Sequence, residues 1–214
     1  MTTPLNTLIH KAHRVLNENR NAKYEITTDY VHRQDRKLRR IRALRDIPRY
    51  RVNAGALGGF IESEKNLDQE GDGWVSEDAR VSSNARVSED AKVYGRAHVS
   101  DNALVSGNAL VSDNARVSDN ARVSENAWVS DNVQVSDDAE VSGKGWVFEN
   151  AHVSHNARVY GIAEVSGDAQ VSDMAHVYDS ARVFGNARVS GNARVYGDAE
   201  VSGNDTVSGD ERVS

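Results

Sequence analysis

Valine recurs every six residues from Val75 to Val213, twenty-four times without a miss. Ala stands two residues before each valine from Ala79 to Ala199, except at Val133 and Gly145. Ser follows the valine in all but six cases, giving units such as Val111-Ser112-Asp113-Asn114-Ala115-Arg116. A short period that never drifts is the mark of a solenoid, in which each unit buries its apolar side only against its neighbours. The array therefore constrains architecture far more tightly than it constrains biochemical role.

Side chains alternate along an extended segment, so Val and the Ala two before it point the same way and the residues flanking Val point out. The Gly/Asp-Asn pairs between valines accept left-handed backbone and make tight corners. Three strand-and-corner units close a triangular coil of 18 residues. Twenty-four units then predict about eight coils, a prism of roughly 38 Å at the spacing of neighbouring strands. Stacked Val suits a β-branched ladder, and Ala suits a narrow interior.

This pattern resembles the left-handed parallel β-helix of hexapeptide-repeat proteins. It covers Trp74 to Ser214. The left hand is what the resemblance implies, since general crossover rules favour the opposite one.

Before the array lies a different kind of sequence. Residues 3–20 place Leu5, Leu8, Ile9, Ala12, Val15 and Leu16 on one stripe and predict an amphipathic helix. Residues 23–32 and 38–47 predict a β-hairpin around a polar turn, Arg33 to Lys37. There follow Val52-Asn53-Ala54-Gly55-Ala56-Leu57-Gly58-Gly59-Phe60-Ile61-Glu62 and Asn66-Leu67-Asp68-Gln69-Glu70-Gly71-Asp72-Gly73-Trp74-Val75. From about residue 23 onward the chain resembles the bacterial and phage β-helix proteins typified by YdcK, often labelled as acetyltransferases. The resemblance implies that hairpin and glycine-rich segment cap the first coil. The division expected is a helix, hairpin and glycine-rich cap over 1–72 and a repeat β-helix over 73–214. The fold class is thus an all-β solenoid with a small α+β cap, which would shield an otherwise open strand edge.

The 18-residue coil sorts outward residues into three faces. The first, around Val75, Val93 and so on to Val201, carries Trp74, Tyr94, Leu110, Trp128, Trp146, Phe148 and Phe184, including all three tryptophans. Outward Trp and Phe on adjacent coils predict an interface; the competing reading is aromatic stacking that stabilises the sheet itself. The second face, around Val81 to Val207, carries Arg80, His98, Arg116, Gln134 and His152 with Ser after every valine, and reads as solvated surface. The third, around Val87 to Val213, carries Arg86, Arg122, Arg158 and Arg194 with Tyr160, Tyr178 and Tyr196. Interleaved Arg and Tyr suit phosphates or bases, or form a tyrosine ladder with arginines packed over it.

The family resemblance raises one catalytic possibility. Many hexapeptide-repeat proteins are trimeric acyltransferases that bind acyl-CoA between prisms, use a histidine as general base and cover the substrate with a loop thrown out of a coil. No loop interrupts this array. His152 and His155 are the best histidine candidates, while His98 and His152 stand three coils apart, about 14 Å. No nucleophile–base pair, phosphate loop or metal cluster is evident, and neither cofactor nor metal is expected.

Residues 1–53 hold thirteen Lys and Arg against five Asp and Glu, a net of +8 in a chain that totals −6. The basic run Arg36-Lys37-Leu38-Arg39-Arg40-Ile41-Arg42 could touch nucleic acid, although its interrupting Leu38 and Ile41 read better as a solubilised edge strand. The acidity of the remainder reads as corner chemistry. With no cysteine, no membrane-length apolar run and no signal-peptide core, the expected setting is cytoplasmic. Asp205 and Glu211 replace inward Ala in the last coil, where charge discourages further stacking. The favoured function is a non-catalytic structural or protein-interaction solenoid that associates with itself or another protein through its aromatic face; an acyltransferase is the alternative and a nucleic-acid binder ranks last.

Overall fold

The computed structural model describes residues 22–33 and 35–214; the helix expected over residues 3–20 lies outside them. From Trp74 onward each hexad contributes a two-residue strand ending in its valine, and between the first and last coils each strand pairs in parallel with the strands 18 residues before and after it. Val93, Val111 and Val129 are thus successive rungs of one ladder. Two of the sheets hold eight strands, and the third reaches eleven by taking in the N-terminal strands. The valines from Val75 to Val195 and nearly all their partner alanines are fully buried. No second core is needed, because every coil is sealed by the next.

The corners explain both the spelling and the charge. The second residue after each valine takes a left-handed conformation with φ near +60°, whether Gly107, Asp131 or His155. A side-chain carboxylate there accepts the backbone N–H of the equivalent residue one coil on. Examples are Asp131 with Glu149 at 3.1 Å and Glu149 with Gly167 at 2.6 Å. The asparagines beside them form their own ladder, Asn84 to Asn102 to Asn120. Acidic corners therefore satisfy a column of N–H groups that the short strands leave over.

The N-terminal hairpin is β1 (Tyr24–Arg33) and β2 (Arg36–Ala43). Its turn is tighter than expected, because Val31, His32 and Arg33 pair with Leu38, Lys37 and Arg36. The second strand also ends earlier than expected: Leu44 keeps one last bond, to the Lys23 carbonyl, and Ile47 bridges to Val52 instead. β2 pairs antiparallel with β3 (Leu57–Ile61), and β3 pairs in parallel with the Arg80–Val81 strand. Ile61 therefore stacks on Val81, and Leu67 bridges to Val87. These two residues occupy valine positions ahead of the regular array, so the stack runs to about nine turns where the valines alone predict eight.

Burial locks this first, irregular turn in place. Gly58 lies so close to the next layer that a Cβ would come within 2.7 Å of the Trp74 indole and 2.6 Å of the Val75 carbonyl oxygen. Buried Asn66 uses its whole amide: Oδ1 accepts from the N–H groups of Glu62 and Ser63, and Nδ2 donates to the carbonyls of Ser83 and Ala85. The Tyr24 hydroxyl donates to the Leu67 carbonyl at 2.7 Å. Among the described residues, no helix is long and apolar enough to cross a membrane.

Candidate functional site

On the first face, the three tryptophans do not share one environment. Trp74 is a correction to the expected outward column: it is buried, pinned beneath Gly58 and joined to the core. The cap spreads further along this face. Tyr50 donates its hydroxyl to the Asp90 carbonyl, and the Lys92 ammonium lies over the rings of Tyr50 and Tyr94 at 5.0 and 4.8 Å. Cation–π contact of that kind lets a lysine sit among aromatics without an anion.

Past half-exposed Leu110, the face opens. Trp128 and Trp146 are direct register partners, stacked with ring centroids 5.2 Å apart. Phe148 tilts against Trp146 at 4.3 Å. Trp128 remains 39% exposed, and the Trp146 indole N–H has no acceptor among the described residues. Ile162, 56% exposed, sits on the corner leading into this face. Phe184 lies two coils beyond Phe148 with the Arg182 guanidinium 5.5 Å above its ring, and Arg182 also bridges Glu164 and Glu200. The apolar ledge is therefore compact, centred on Trp128, Trp146 and Phe148, with a charged boundary at Glu164 and Arg182.

On the third face, Tyr160, Tyr178 and Tyr196 stack nearly parallel, with centroids 5.0 and 5.3 Å apart. A planar ligand inserted between two rings would need about 7 Å. The rings thus close on one another, and their outer edges and the arginines are what the face presents. Arg86 is held by Asp68 through two hydrogen bonds of 2.6 and 2.7 Å, and Arg158 reaches Glu140 at 3.7 Å. Arg122 and Arg194 are exposed and make no ion pair among the described residues. His176 meets Tyr160 edge-on, and its pKa is lowered by partial burial and by Arg158 and Arg194.

The histidines remain dispersed. His152 stands between Gln134 and Gln170 on the second face. His155 is a corner residue with φ +59°; its backbone N–H donates to Asp137, and its Nδ1 lies 3.2 Å from the Ser154 hydroxyl. Among the described residues, no group of His, Asp and Glu is arranged to hold a metal.

The second face differs from the solvated surface expected of it. The hairpin tip folds over its first coils and encloses a cleft of about 620 Å³ between Arg33, Arg36 and Leu38 on one side and Ser82, His98 and Arg116 on the other. A basic hairpin and Arg80, His98 and Arg116 before valines one coil apart were the available signals, but their juxtaposition needs the fold.

Residues 97–113, 115–131, 181–197 and 187–203 match the family model described as the YdcK β-solenoid repeat. Each matched window spans almost one 18-residue coil, and together they sample both halves of the array. No curated protein matches the chain.

Proposed function

We propose that this YdcK-like repeat β-helix protein is a non-catalytic interaction module that self-associates through the ledge of Trp128, Trp146 and Phe148. The observation that carries this reading is the stacked Trp128–Trp146 pair, left partly exposed on a rigid ladder. A preformed aromatic surface loses little conformational freedom on docking, and large flat rings supply most of the energy in small interfaces. The charged rim at Glu164 and Arg182 would then set register between copies. The uniform interior leaves sequence variation on the outside, which suits a scaffold.

Light scattering over a wide concentration range tests the reading. The wild-type chain should increase in mass with concentration, and Trp128→Ala with Trp146→Ala should remain monomeric with an unchanged far-UV spectrum. An unchanged mass in the double variant sinks the proposal. A discrete trimer that binds acetyl-CoA saturably would replace it with an acyltransferase.

A further inference from the structure

We infer that the cleft between the β1–β2 hairpin and the second face binds a small phosphate-bearing ligand. Arg36 is occupied, donating to both Glu62 carboxylate oxygens at 2.9 and 3.2 Å, while Glu62 also accepts the Ser83 N–H at 2.7 Å. Asp101 accepts the Ser100 hydroxyl at 2.8 Å. Arg33 and Arg116 line the opposite walls, and neither has an acidic partner among the described residues. Arg80 stands between Phe60 and His98 in the strand ladder, beside the cleft and off its lining.

Two uncommitted guanidinium groups, Arg33 and Arg116, therefore face one space, where Asp101 is the one carboxylate on the lining among the described residues. Guanidinium forks match phosphate oxygens with two parallel hydrogen bonds. His98, between Arg80 and Arg116 in the ladder, is kept neutral by burial and by the surrounding arginines, so it adds a hydrogen bond and no repulsion. Two unpaired guanidinium forks on facing walls call for more acceptor oxygens than a single carboxylate offers, and a phosphate supplies them. The volume lies within the range of small-molecule sites and exceeds what free phosphate fills, which points to phosphate carried on an organic body.

Calorimetric titration of the full chain with pyrophosphate, citrate and inorganic phosphate at fixed ionic strength tests this. Pyrophosphate should bind saturably, and Arg116→Gln or Arg33→Gln should weaken it about tenfold each, the loss of roughly one charged hydrogen-bonding partner. Both residues are exposed, so folding should be retained. Arg122→Gln, on the third face, should leave binding unchanged. Citrate that binds as tightly as pyrophosphate overturns the phosphate assignment. Absence of saturation up to about 10 mM, or equal weakening by Arg122→Gln, overturns the site. The Trp128/Trp146 variant should bind pyrophosphate normally, which keeps this test separate from that of self-association.

Discussion

Trp146 lies face to face with Trp128, their planes 9° from parallel, although the residues are eighteen apart in the chain. The ladder register imposes this contact, since the two residues precede paired valines. A double-mutant cycle with Trp128→Ala and Trp146→Ala should give a coupling of about 1 kcal/mol in monomer stability. Strictly additive effects would show that the rings are neighbours without mutual stabilisation.

Asn66 is the most specific residue of the cap. Replacing it by Ala strands the Ser63 N–H and two carbonyl groups, the Glu62 N–H keeping the Val81 carbonyl, and should cost about 2–4 kcal/mol. Asn66→Asp should do no better, because its carboxylate would face the Ser83 and Ala85 carbonyls. Hydrogen exchange at the Ser63 amide reports the loss locally; unchanged protection there refutes the assignment.

Lys23 is fully buried, and burial, aided by Arg45, lowers its pKa to about 8 against the opposing pull of Asp68, Asp72 and Asp90. Below pH 8 the ammonium is charged in both folded and unfolded chains, so the folded state carries the whole cost, about 3 kcal/mol by linkage. Between pH 8 and 10.5 the folded lysine releases its proton first and the cost fades. Lys23→Met should therefore stabilise the cap at pH 7, by less than that figure because the bond to the Glu70 carbonyl is lost. The advantage should shrink as pH rises through that window. Denaturant unfolding at pH 7 and pH 11 checks it, and a constant difference counts against it.

His98 works in the opposite range. Burial first, then Arg80, Arg33 and Arg116, lowers its pKa, with Asp101 opposing. As pH falls below about 6.5 the unfolded chain takes up a proton that the folded chain resists, so stability declines. His98→Gln should flatten that part of the stability–pH curve and leave the neutral-pH value nearly unchanged. An acid limb identical to wild type would locate the titration elsewhere.

Valine spacing alone dictated the solenoid, its 18-residue repeat and the three faces, because a period of six with Ala two before Val can seal its interior only by stacking on itself. The corner carboxylates were legible as turn residues, and their acidity follows from the N–H groups they cap. Fold was needed wherever the chain leaves the period. Ile61 and Leu67 extend the stack by aligning with Val81 and Val87, an alignment hidden by the two extra residues between Leu67 and Val75. Trp74 shares its outward register with Trp128, yet the cap covers one and leaves the other open. Arg33 and Arg116 stand 83 positions apart in sequence and face each other across a cleft because β2 pairs with β3 and carries the hairpin back over the second face. Local periodicity sets which side of the strand a residue occupies; only long-range packing decides what lies against it.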